Sequence, residues 1–186
     1  MFILTRCRRS DQSHFDFYTK MSKNVGFAVK QAKKRYRQCE DAELHVTISH
    51  KRRRLLNAEK QLKASAGREC VEIPAGVDPG YKCFVGTKLV GCTTSGRFVN
   101  SARYTCTGLN EDTTTLQDDL DGSTFECTPE ALSKHALLAR AMTYNRMQGS
   151  THEGTICLHL DSKNLKRHHL YVGLSRATCG ENVCIA

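Results

Sequence analysis

The chain has 186 residues, enough for one ordinary domain or for a domain carrying a small insert. Its 39% hydrophobic and 25% charged residues describe a globular chain rather than a disordered one, and no apolar run is long enough to span a bilayer. A formal net charge of +9 favours a polyanionic partner; without a secretion signal, an intracellular chain is expected, its ten cysteines mostly reduced.

The charge is uneven along the chain. Residues 1–70 carry 17 Lys/Arg against 7 Asp/Glu, residues 71–130 carry 4 against 9, and residues 131–186 carry 7 against 3. A basic–acidic–basic order suggests a basic domain interrupted by an acidic insert. Solvated charged helix faces would give any single cluster of this kind as well.

Residues 15–40 read as one helix, with Phe17, Met21, Val25, Ala28, Val29, Ala32 and Tyr36 at three- and four-residue steps and Lys30, Lys33, Lys34 and Arg37 opposite. Residues 44–48 alternate apolar with polar as a short strand does, and Ser49 and His50 then start a second helix. That helix opens on the basic run Lys51-Arg-Arg-Arg54 and continues through Leu55, Leu56, Ala58 and Leu62. From Val71 the texture changes: Gly76, Gly80, Gly86, Gly91 and Gly96 punctuate strand-length runs of Tyr, Phe, Val, Thr and Cys. Such a segment predicts a small antiparallel barrel or ribbon ending near Cys127.

Thr128 followed by Pro129 is a helix start, cap then first-turn proline, and residues 131–138 can fill that helix. Residues 140–143 and 155–160 are candidate strands, 170–176 a helix and 182–185 a last strand. The alternation predicts an α/β fold with a mostly parallel sheet and helices on its faces. Ligands in such sheets bind at the carboxyl ends of strands, where residues 143–151 would lie.

Gln148-Gly-Ser-Thr151 gathers an amide, a flexible backbone point and two hydroxyls, a set able to hydrogen-bond phosphate oxygens; an ordinary polar turn has the same composition. Arg176 closes an amphipathic turn, where a guanidinium can meet a phosphoryl group or cap the helix end. At 49–51 a helix start offers free N–H groups and a positive dipole end to a phosphate, and the basic run beside it also fits a nuclear-localisation patch. The cysteines and eight histidines lack the spacing of a structural zinc site, so no metal ligand set is expected. No G-x-x-x-x-G-K-[ST] phosphate loop occurs in the sequence, nor an acidic magnesium motif after an apolar strand.

Together, Ala141-Met-Thr-Tyr-Asn-Arg-Met-Gln-Gly-Ser-Thr151 and Leu170-Tyr-Val-Gly-Leu-Ser-Arg-Ala-Thr178 resemble the fifth and sixth motifs of superfamily-one helicases of the UvrD/RecD-like branch. Tyr144 and Asn145 stand where many relatives have histidine and lysine. The stretch Leu4-Thr-Arg-Cys-Arg-Arg-Ser10 resembles part of the fourth motif, and Ser49-His-Lys-Arg-Arg-Arg-Leu-Leu-Asn57 the strand-to-helix element that touches single-stranded nucleic acid. Residues 80–107 resemble the SH3-like barrel inserted in this branch.

The resemblance implies the second RecA-like domain of an ATP-dependent DNA helicase, with 1–70 and 129–186 as its two parts and 71–128 as the inserted barrel. It implies that Arg176 and Arg9 reach the ATP phosphates, that Gln148 and Gly149 lie on the nucleotide side, and that Thr143, Ser150, Thr151, Ser49, His50, Lys51 and Asn57 lie along single-stranded DNA, RNA being possible in its place. ATP and Mg2+ would be held mainly by a first RecA-like domain, on a longer parent chain or a partner, so this chain alone is not expected to hydrolyse ATP. The other reading is a non-catalytic, helicase-derived nucleic-acid-binding or regulatory module.

Overall fold

Asp11 and Asn24 each begin a helix, so two helices stand where one was expected over 15–40. In this computed structural model, which describes residues 10–39 and 41–186, Asp11 accepts from the His14 amide at 2.7 Å and Asn24 accepts from the Phe27 amide at 3.0 Å. These caps bound α1 (Gln12–Lys20) and α2 (Val25–Arg35). The apolar spacing runs through both helices, but the Asn24 side chain offers a competing partner to amides that a continuous helix would leave to its own carbonyls.

There follow β1 (Arg37–Gln38), β2 (Leu44–Thr47), α3 (His50–Ser65), β3 (Val71–Ile73), β4 (Tyr81–Cys83), β5 (Lys88–Gly91), β6 (Arg103–Leu109), β7 (Thr114–Asp118), β8 (Thr124–Cys127), α4 (Pro129–His135), β9 (Ala136–Leu138), β10 (Ala141–Thr143), β11 (Ile156–Leu158), α5 (Arg167–Leu174) and β12 (Val183–Ile185). Two compact units result, one formed by the chain up to Arg53 with Met142–Ala186, the other by Arg54–Ala141.

The first unit holds the expected parallel sheet, in the order β1-β12-β11-β2-β10. β1 pairs with β12, β12 with β11 and β11 with β2, all in parallel. Leu44, Val46, Ile156, Leu158, Val183 and Ile185 are buried along it, the continuous apolar character of strands covered on both faces. His14 ties helices within this unit: its ring nitrogens lie 2.8 Å from the Tyr36 hydroxyl and 2.8 Å from the Leu174 carbonyl, and burial pushes its pKa down.

The second unit is antiparallel. Its sheet runs β8-β7-β6-β5-β9, with β3 and β4 as a separate two-stranded ribbon. Ile73, Leu89, Phe98, Tyr104, Leu116, Leu132 and Leu138 form its core. Residues 136–138 correct the sequence reading: the helix expected through 138 stops at His135, and β9 pairs antiparallel with β5, Leu138 opposite Leu89. Burial of Ala136, Leu137 and Leu138 against the sheet outweighs their helix propensity. The unit therefore includes α4, β9 and most of α3 as well as 71–128. Among the described residues no helix is long and apolar enough to cross a membrane.

Candidate nucleotide and nucleic-acid site

β2 and β10 end side by side. The Tyr144 amide, just past β10, donates to the Thr47 carbonyl at the end of β2 (3.1 Å), and the His159 amide, just past β11, donates to Val46 (2.9 Å). The loop after β10 and the start of α3 thus share the carboxyl edge of the sheet, where α/β folds bind ligands.

The loop is held from within. The Thr143 carbonyl accepts from the Arg146 and Met147 amides at 3.0 and 3.1 Å, its hydroxyl accepts from Arg146 at 3.4 Å, and the Ser150 hydroxyl donates to the Met147 carbonyl at 2.9 Å. Thr143 is buried by this role, while Gln148, Gly149 and Thr151 are exposed and Ser150 is half-buried. Gly149 sits at φ +89°, a conformation side chains resist, and nothing lies within 4 Å of where a Cβ would stand.

Arg176 joins this loop to the end of α5. Its Nε donates to the Val172 carbonyl at 3.2 Å, one terminal nitrogen donates to the Ser150 carbonyl at 2.9 Å, and the other to the Ser175 hydroxyl at 2.9 Å. The side chain is nearly enclosed, at 9% exposure. The two stretches singled out in the sequence, 26 residues apart at this contact, therefore meet through one guanidinium.

The start of α3 is exposed at Ser49, His50 and Lys51. Ser49 caps it, accepting the Arg52 amide on its hydroxyl (3.1 Å) and the Arg53 amide on its carbonyl (3.0 Å). The basic run beside it divides: Lys51 and Arg52 are exposed, Arg53 is buried, and Arg54 pairs with Asp78 at 3.0 Å in the second unit.

Of the other residues singled out in the sequence, one is buried and one is not described. Asn57, expected along the nucleic-acid strand, is turned inward, 2% exposed, with its amide bonded to Leu138 and Ala141 in the second unit, so its side chain is not on the surface. Arg9 lies outside the described residues. A groove of about 1600 Å³ in the second unit holds none of the motif residues, and its rim of Glu69, Glu72, Glu111, Asp112 and Glu130 repels phosphate.

Tyr144 and Gly173 form a packing contact that the spacing alone did not disclose. Tyr144 is 1% exposed and donates to the His159 carbonyl at 3.3 Å. A Cβ on Gly173 would stand 2.7 Å from the Tyr144 ring and 2.8 Å from Leu158. Both neighbours are buried, so Gly173→Ala is expected to destabilise the first unit by about 1–3 kcal/mol, measured as a lower midpoint in urea at unchanged slope.

Several solved helicases share this fold. A Bacteroides Pif1 bound to single-stranded DNA superposes with a TM-score of 0.72 at 17% identity, over 98% of this chain and 50% of that one. A Bacteroides Pif1 with ADP-AlF3 and single-stranded DNA gives 0.69 at 17%, over 98% and 51%, and Candida albicans Pif1 gives 0.63 at 13%, over 94% and 53%. The chain spans about half the length of these helicases. No curated protein sequence matches it. Residues 88–184 match the profile of the viral superfamily 1 RNA helicase core domain, a stretch that contains the Gln148–Gly149 loop, α5 and Arg176. With that match extending over more than half of its length and the Arg176–Ser150 bond joining the two stretches within it, the chain belongs to the superfamily-one helicase core family.

Proposed function

We propose that the chain is the second RecA-like half of an ATP-dependent helicase of the UvrD/RecD-like branch, completed by a first RecA-like domain that carries the phosphate loop. The observation that carries this reading is the bond from Arg176 to the Ser150 carbonyl, which couples the nucleotide-side residue to the loop on the nucleic-acid side. Gln148, Gly149 and Thr151 are exposed, and so is the capped start of α3, each offering donors that fit phosphate oxygens.

On this reading ATP with Mg2+, bound mainly by the first domain, supplies the free energy of translocation. Arg176, with Arg9 from the amino-terminal segment, supplies positive charge from this side. Arg176 exchanges its inward bonds for the phosphates when the domains close, and that exchange releases or grips the loop through Ser150. Ser150, Thr151, Ser49, His50 and Lys51 hold single-stranded DNA; Asn57 and Thr143 shape the elements that carry them. Residues 71–128 serve as the SH3-like insert, whose acidic balance suits a steric role better than a grip on phosphates.

The described chain is expected to bind a single-stranded oligonucleotide weakly and with steep salt dependence. A footprint of about four phosphates lowers affinity about 50-fold between 50 and 200 mM salt. Fluorescence titration at the two salt concentrations measures it, and binding indifferent to salt would remove the phosphate-contact reading. An RNA oligonucleotide of the same sequence, bound equally well, would move the substrate from DNA to single strands in general.

A further inference from the structure

We propose that His45, Cys157 and His159 form a binding site for a zinc-class transition-metal ion on one face of the parallel sheet. The strands bring the three residues together. Cys157 and His159 are two apart along and just beyond β11, so their side chains leave the same face, and His45 on β2 is the register partner of Cys157. All three are buried, at 1%, 0% and 5% exposure for His45, Cys157 and His159, and their ligand atoms lie within 4.8 Å of one another.

The spacing suits a metal. His45 Nδ1 stands 3.1 Å from His159 Nε2. A tetrahedral zinc with bonds of about 2.0–2.1 Å to nitrogen holds two imidazole nitrogens about 3.3 Å apart. The metal-free pair is thus within a few tenths of an ångström of the separation that coordination needs. The rings are tilted 40° to each other, so their nitrogens converge without stacking. The donor set of two imidazoles and one thiol selects zinc, cobalt(II) or copper(I) over magnesium or calcium, which take oxygen ligands.

One further cysteine continues the row. Cys157 Sγ lies 3.2 Å from the Cys39 carbonyl, and Cys184 on β12 is the register partner of Cys157 on its other side. A row of Cys184, Cys157 and His45 therefore crosses three neighbouring strands on one face. On binding, the ring-to-ring hydrogen bond gives way to two metal–nitrogen bonds, and the Cys157 thiol releases its proton to become the sulfur ligand. The ion would lock β2 to β11 two residues before the edge that carries Ser49, although the site itself does not depend on the helicase reading.

The test uses the whole chain, purified metal-free under reducing conditions and titrated with cobalt(II). One cobalt per chain is expected, with the thiolate-to-cobalt charge-transfer absorption and strong d–d bands of a tetrahedral site, displaced by zinc. Cys157→Ser should abolish the charge-transfer band and weaken binding by more than about 100-fold, and His45→Gln should weaken it similarly. Cys92→Ser, in the second unit, should leave both unchanged. X-ray absorption of the zinc-loaded, unsubstituted chain should report two imidazole nitrogens and at least one sulfur, which keeps the test decisive where a variant fails to fold. No stoichiometric cobalt binding, a band that survives Cys157→Ser or vanishes in Cys92→Ser, or an all-oxygen shell around zinc would overturn the site.

Discussion

Arg176→Ala, made in the chain joined to its first RecA-like domain, is expected to lower ATP turnover by about 10³–10⁵-fold. A guanidinium beside a departing phosphoryl group meets charge that develops only in the transition state, so its loss falls on turnover rather than on binding. In the structure the same guanidinium is engaged at Val172, Ser150 and Ser175. Removing it also takes a donor from the part-buried Ser150 carbonyl, while Val172 keeps the Ser175 hydroxyl, and costs stability, on the order of 1 kcal/mol. The two effects separate experimentally: turnover is measured well below the variant's melting temperature, with oligonucleotide affinity and thermal midpoint recorded alongside. Arg176→Lys keeps the charge but not the planar fork that bonds two acceptors, and should recover little turnover. A variant that melts earlier yet hydrolyses ATP at the parental rate would make Arg176 a clamp between α5 and the loop and nothing more.

What the sequence disclosed of this site was local. The polar cluster at 148–151 and the arginine at 176 lie in contiguous stretches whose pattern survives without knowledge of the fold, and the alternation of elements was enough to predict the parallel sheet around them. Features fixed by distant partners were not legible. The break between α1 and α2 depends on Asn24 turning its side chain to the Phe27 amide, while the apolar period continues across it. The strand at 136–138 has helical composition and becomes a strand because Leu89 lies opposite. The grouping of His45 with Cys157 and His159 joins positions more than a hundred residues apart, beyond any spacing motif.

Asn57 carries the largest expected stability effect. Within the second unit its amide nitrogen donates to the Leu138 carbonyl at 3.0 Å and the Ala141 carbonyl at 3.1 Å, while its amide oxygen accepts from the Ala141 amide at 2.6 Å. One side chain thus closes both ends of the turn between β9 and β10 against α3, at 2% exposure. Asn57→Ala leaves a backbone N–H and two carbonyls buried without it, and each such group costs about 1–3 kcal/mol. Water entering the space left by the side chain can recover part of this, so a net loss of about 3 kcal/mol is expected. Asn57→Asp should be no better near neutral pH: it keeps the acceptor for Ala141 but turns a charged oxygen toward two carbonyls. Chemical denaturation of both variants gives the free energies, and oligonucleotide titration of the folded fraction gives the affinity. The inward geometry requires the loss to appear in the first measurement with affinity near the parental value. A stable Asn57→Ala protein with impaired strand binding would instead return Asn57 to the nucleic-acid path.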